Sequence, residues 1–349
     1  MFLYSIIDQI LALKFVFLIF YLILIINFLK NYSFKFKKKI LDNEFKKIQS
    51  FHQKPTLKAG GILLFAYFFI SYLLFYSNKI LETLFISIVP IFFFSFLEDL
   101  KIIVKPFIRL VSLFLIIFFI VLFFDLKVYS IQFYKFDQIL NNNLIFSVFF
   151  ISFCFLFIIN GSNFIDGFNG LLSIHVFIIN IFLIFINIEF YNLELLTTCI
   201  LFQFFLIIFI FYNFPSATFF LGNSGSYLIG FIISFLIIKT SQSTYYHKIY
   251  PFYFAVLLHY LFFEVFFSFY RKIFYERTNP LYPDKKHLHM LLYSIVKSNP
   301  KTSLLVNSYF LLSLFPLFLI QNSPGILKIY FLFLLFFYCI FYLILRKKN

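Results

Sequence analysis

The stretch "LIFSVFFISFCFLFIINGSNFIDGFNGLL", Leu144–Leu172, joins a run free of charge to a knot of amides, glycines and one acid. Leu144–Ile159 is long and apolar enough to enter a bilayer, where a helix satisfies its own backbone groups. Asn160, Asn163, Asp166 and Asn169 then follow at intervals of three, among Gly161, Gly167 and Gly170. Polar groups are costly in hydrocarbon unless something satisfies them. This stretch therefore reads as a membrane span that ends in a site.

Working outward, similar apolar runs fill the chain. Of 349 residues, 62% are hydrophobic, 64 are Phe, and the mean hydropathy is +0.97. A soluble domain must cover itself with polar surface and has no use for so much apolar area. The expected fold is an all-α polytopic integral membrane protein with about 11 transmembrane helices, in one transmembrane domain over 1–349. The spans are expected at 8–29, 60–76, 80–97, 108–124, 144–159, 171–187, 195–212, 226–238, 250–269, 303–320 and 327–345. The run ending near Leu29 is too long for a signal-peptide core and reads as the first span. Span 226–238 is short and needs extension at either end or a thinned bilayer. A β-rich stretch is expected at Leu126–Phe136. Cys154, Cys199 and Cys339 lie in or beside apolar runs without metal-like spacing and read as packing residues.

The net charge is +15. In a soluble protein this would suggest nucleic acid; here it reads as topology signal and anionic membrane lipid, with no nucleic-acid partner. With the N-terminus outside, the inner segments are 30–59, 98–107, 160–170, 213–225, 270–302 and the tail from Arg346. These segments, with Arg109 at the edge of the second, hold 22 of the 29 Lys and Arg residues. The C-terminus is thus expected in the cytoplasm.

Every unusual polar stretch falls on that inner side. "LEDLKIIVK" (97–105) sets Glu98 beside Asp99, oxygen ligands suited to a hard divalent cation or to marking a helix end. "FLGNSGSYLIG" (220–230) opens a helix with Gly222, Asn223, Ser224, Gly225 and Ser226, suited to an anion or to a plain cap. "PDKKHLHMLL" (283–292) carries Lys285, Lys286, His287 and His289; the two histidines share a face only where the backbone is extended. "KPTLKAGG" (54–61) brings Lys54, Lys58 and paired glycines. Inside the membrane, Glu264 is costly to bury and is expected to pair with Arg271 or Lys272. A transporter would line its span centres with ionisable groups; here Glu264, His175 and His259 are the main exceptions to clustering at the inner ends.

Taken in order from about His52 to Leu292, these motifs resemble those of the polyprenyl-phosphate N-acetylhexosamine-1-phosphate transferases. "PTLKAGG", "LEDL", "NGSNFIDGFNGL", "FLGNSGS" and "PDKKHLHMLL" are similar to that superfamily's Pro-rich loop, acid pair, Asn/Asp, Gly-Asp-x-Gly-Ser and histidine motifs. The chain departs from them at Leu57, at Glu98 for Asp, at Asn223 for the metal-binding Asp, and at Met290 for the third His. The resemblance implies transfer of N-acetylhexosamine-1-phosphate from a UDP-sugar to undecaprenyl or another polyprenyl phosphate, releasing UMP. It points to the branch that initiates surface-polysaccharide and O-antigen synthesis. The peptidoglycan phospho-N-acetylmuramoyl-pentapeptide transferase and a catalytically altered paralogue are the alternatives. Glu98, Asp99 and Asp166 are the implied catalytic acids. Asp99, Asp166 and Asn223 are the implied ligands of Mg²⁺ or Mn²⁺. Lys58, Asn160, Asn163, Asn169, Lys285, His287 and His289 are the implied substrate contacts. The implied setting is the bacterial inner membrane with a cytoplasmic active site, and the resemblance allows a homodimer.

Overall fold

The computed structural model describes residues 2–31 (side chains from 12), 40–42, 55–102, 105–244 and 249–348. His52, Lys54 and most of the 30–59 loop lie outside the described residues. The chain is an all-α polytopic membrane protein, and each of the eleven expected spans falls on a helix. Among the described residues, nine helices are long and apolar enough to cross a membrane. One further candidate is a bent pair, and Gly60–Leu74 is apolar but has only 15 residues.

The helix Gly222–Thr244 is the axis of the bundle. Its apolar window is 89% buried, against 22% for Pro106–Phe123 and Pro324–Lys348, whose large side chains face outward. The short span expected at 226–238 is therefore 23 residues long and extended at both ends. Its polar residues hid the true length, because they face protein and not lipid. Around it stand Lys79–Asp99, Leu144–Ile165, Leu171–Glu189 and Gly60–Leu74. Glycines permit the closest approaches. A Cβ on Gly230 would lie 2.7 Å from the Ile159 Cα, and one on Gly161 would lie 2.5 Å from the Leu261 carbonyl oxygen.

Three loops facing away from the polar knot are closed by asparagine caps. Asn78, Asn143 and Asn192 accept from Leu81, Phe146 and Leu195 N–H at 2.9, 3.0 and 3.2 Å. Amides thus serve both ends of the bundle, and composition alone does not separate a cap from a site.

Two expectations are corrected. Leu126–Phe136 holds no strand; an irregular segment leads into a short helix, Tyr134–Asn142. There Asp137 takes Ser130 Oγ and Ile131 N–H at 2.7 Å each, a local tie that competes with strand pairing. The span 250–269 is broken into Pro251–Leu257 and a segment from His259, bent by 74°. The His259 ring meets the Val256 carbonyl at 2.7 Å and satisfies it at the break. Among the described residues, the strands that do occur form a small sheet: Leu41–Asp42 pairs antiparallel with Thr56–Lys58, which pairs parallel with Phe219–Phe220. Cys154 lies exposed on the bundle flank, whereas Cys199 is buried.

Candidate active site

The helix Gly222–Thr244 begins against a carboxylate from another helix. Asp99, the last residue of Lys79–Asp99, accepts Asn223 N–H at 2.8 Å, Ser224 N–H at 2.9 Å and the Ser224 hydroxyl. Free N–H groups and the positive end of the helix dipole favour an anion there. Gly222 makes the approach feasible, with φ of +73° and no Cβ; a Cβ would lie 2.8 Å from an Asp99 oxygen. On the other flank Gly61 donates N–H to the Leu221 carbonyl at 3.0 Å. The paired glycines of the first loop thus bring two helix starts together, while the small sheet ties their leading strands.

Glu98 turns the other way. Its Oε2 accepts from Asn223 Nδ2 at 3.0 Å and from Arg109 Nη1 at 3.4 Å, and its buried Oε1 has no partner among the described residues. Asn223 is therefore the donor that lets a second carboxylate sit beside Asp99. Its own Oδ1 accepts Asn163 Nδ2 at 3.3 Å, and the same Nδ2 reaches Ser226 Oγ at 3.1 Å.

The Asn/Asp knot divides by geometry. The helix Leu144–Ile165 runs through Asn160 and Asn163 without the break its glycines suggested. Gly161 serves helix packing instead. Asn163 points at the start of Gly222–Thr244, whereas Asn160 bonds back to Leu156 O in its own helix at 2.7 Å. Asn169 is a loop brace. Its Nδ2 donates to Pro215 O at 2.9 Å, and its N–H meets Asn299 Oδ1 at 2.8 Å. Gly170, at φ +74°, donates to Asn213 Oδ1 at 2.6 Å, and Asn213 in turn donates to Phe219 O. Asn213 and Asn299 were not singled out in the sequence, where the only hint was an asparagine shortly before a proline.

Asp166 caps the helix end, and among the described residues its carboxylate takes no hydrogen bond. Surrounding protein pushes its pKa well above the ordinary range, helped by the Asp99 charge and opposed by Lys58. Lys58 itself pairs with Asp42 at 3.2 Å.

The histidine segment closes one side. His287 is extended and His289 is helical, so the two rings stack at 5.6 Å. Phe164 and Phe168, from the knot, lie 4.9 and 5.6 Å from these rings. Glu264 pairs with His287, not with Arg271 or Lys272 as sequence proximity suggested. Those two cations are drawn off by acids of the following loop. Arg271 holds Glu276 and Asp284 at 2.7 Å each, and Lys272 lies 3.5 Å from Asp284. Burial raises the Asp284 carboxyl, but the hydrogen bonds from Arg271 and Lys286 N–H and the Lys272 charge together outweigh it, and the net shift is downward. Lys285 is exposed on the same loop.

Among the described residues, no three His, Cys, Asp or Glu side chains gather closely enough to hold a metal ion. A closed protein cage is thus not built here. Asp99 is taken up by the helix start and Asn223 is shared with Glu98 and Asn163, which leaves Asp166 as the unengaged carboxylate. That set fits a cation such as Mg²⁺, which keeps waters and substrate phosphates and needs only one or two carboxylates.

No curated protein matches the chain. The family model of glycosyl transferase family 4 matches residues 81–241, the stretch that holds Glu98, Asp99, Asn163, Asp166 and Asn223. Through that stretch the chain is similar to glycosyl transferase family 4.

Proposed function

We propose that this protein transfers N-acetylhexosamine-1-phosphate from a UDP-sugar to a polyprenyl phosphate, releasing UMP, as the first step of surface-polysaccharide synthesis. The similarity to that family supports the coarser part, sugar-phosphate transfer to a polyprenyl phosphate by a multi-pass membrane protein. The observation that carries the reading is convergence. An acid pair, an amide pair, an unengaged carboxylate and two histidines meet at one end of the bundle, beside a helix start.

In the reaction, an oxygen of the lipid phosphate attacks the sugar-bearing phosphorus of the UDP-sugar. The new P–O bond forms as the bridging P–O bond breaks, and the bridging oxygen leaves with its electron pair on UMP. A phosphate monoester is already largely dianionic at neutral pH, with a second pKa of about 6, so little deprotonation is required. The difficulty is repulsion between anions, and fixed donors and cations lower it. When bound, Mg²⁺ would supply charge neutralisation at the diphosphate. Asp166 is the residue we assign to hold it, with Asn223 beside it. Asp99 acts by fixing the Gly222 helix start, and Glu98 by orienting Asn223. Lys58, Lys285 and His287 would meet phosphate and sugar oxygens, and Asn163 the nucleotide-sugar, while the buried His289 ring stacks behind His287. Asn160 and Asn169 are committed to backbone in this arrangement and act as supports. The distribution of Lys and Arg favours an active site on the cytoplasmic face, and the setting we assign is a bacterial inner membrane.

The test uses purified protein with undecaprenyl phosphate, a panel of UDP-N-acetylhexosamines and Mg²⁺, following UMP with and without chelator. Lipid-dependent, chelator-sensitive UMP release is the expected outcome. No UMP from folded protein with any donor sinks the reading and favours a catalytically altered paralogue, to which Asn223 is the pointer.

A further inference from the structure

Glu264 is a carboxylate placed inside the bundle on the helix His259–Tyr270, with 1% of its surface exposed. Such a group is costly in a membrane protein unless it is used. Its Oε2 lies 2.9 Å from His287 Nδ1, and its Oε1 lies 3.6 Å from His289 Nδ1. An ionised carboxylate only accepts, so the proton between Glu264 and His287 sits on Nδ1. His287 Nε2 then faces the other way. It has no partner among the described residues and, unlike both nitrogens of His289, it is not sealed from solvent. Phe164, next to Asn163 in the chain, lies 4.9 Å from the His287 ring, so this ring borders the amide arm of the site. The phenols of Tyr260 and Tyr338 lie near the same carboxylate. The nearby cations Arg271 and Lys272 are held by Glu276 and Asp284, which leaves Glu264 to the histidines.

We propose that Glu264 is the positioning residue of the histidine arm: it fixes the His287 ring with Nδ1–H inward and Nε2 presented to the phosphates of the substrate. Glu264 acts through His287 and touches no substrate itself. The inference rests on the transferase reading above. Removing the partner that orients a working histidine costs between about tenfold and a hundredfold in function.

The test compares Glu264→Leu, which removes the acceptor, with Glu264→Gln, which keeps one oxygen. His287→Asn and the double variant Glu264→Leu/His287→Asn complete the set, all as full-length protein in bilayers. The expected result is a fall in kcat for Glu264→Leu of about tenfold or more, with a smaller change in KM. Glu264→Gln retains a larger share, and the double variant is no worse than His287→Asn alone. A purely structural role would instead favour the apolar Leu and give multiplying losses. In ¹⁵N-histidine-labelled protein, the His287 resonance, identified by its loss in His287→Asn, reports Nδ1–H in the wild type. It moves toward Nε2–H in Glu264→Leu, or in Glu264→Met if the Leu variant does not fold, and stays at Nδ1–H in Glu264→Gln, whose amide oxygen still accepts. Full activity in Glu264→Leu, losses that multiply, or a resonance unmoved in the Leu or Met variant each overturn the proposal. A wild type that releases no UMP while the resonance still moves leaves the pairing standing and sinks the transferase reading instead.

Discussion

Asn223 donates to Glu98 at 3.0 Å and accepts from Asn163 at 3.3 Å, so its amide works in both directions. An aspartate there would set a third carboxylate against Glu98 and Asp99. Asn223→Asp is expected to lower stability by about 2 kcal/mol or more, since a donor to a charged group becomes a like charge. It should also lower turnover. The swap Glu98→Gln with Asn223→Asp puts the donor on the other side and should recover most of the loss; thermal melts of the four proteins decide this. Asp166 gives the second residue-scale expectation. Its folded pKa is raised by burial and by Asp99, so its stabilising share is fully present below the ordinary Asp value of about 4. That share is lost as pH rises through the raised value. Asp166→Asn should therefore melt higher than wild type at neutral pH, with the gap closing toward about pH 4. It should lose about a hundredfold or more in UMP release if it holds charge at the diphosphate. Mg²⁺ should raise the wild-type Tm and leave that of Asp166→Asn unmoved. Asn163, Asp166 and Asn223 were legible in the sequence as polar residues at span ends. That Asn160 and Asn169 serve the backbone was not, because their spacing is the same and only their neighbours differ.

At the scale of elements, the starts of Gly60–Leu74 and Gly222–Thr244 touch without side chains between them. A Cβ on Gly61 would lie 2.6 Å from Gly225 N and closer still to the Ser224 hydroxyl that holds Asp99. Gly61→Ala is expected to cost about 1–3 kcal/mol and to cut activity further than Gly325→Ala, where a Cβ meets nothing within 4 Å. Detergent melts and UMP release on the two variants check it. The apolar helices could be read directly, since about 20 apolar residues leave the backbone no other solution in lipid. The three short strands could not. They are two or three residues long and arise only because loops distant in sequence are brought edge to edge.

At the scale of the molecule, the Lys and Arg residues fall mostly in the sequence segments that adjoin the acids, amides and histidines of the site. A reporter fused after Lys348 that fluoresces only in the cytoplasm should fluoresce, and one inserted at Ser323 should not; the reverse pattern overturns the orientation. By itself the sequence determined that this is a membrane-spanning helical protein and where nearly every helix lies, because hydropathy is a local property that a bilayer reads one segment at a time. It also marked the polar loops and the family resemblance. Only the tertiary structure decided that Asp99 caps a distant helix, that Glu98 meets Asn223, and that Glu264 takes His287 in preference to the cations seven and eight residues along its own chain. These pairings join residues 23 to 125 positions apart. They depend on which helix faces turn together, a choice made by glycine contacts and packing across the whole bundle and not by any one stretch of chain.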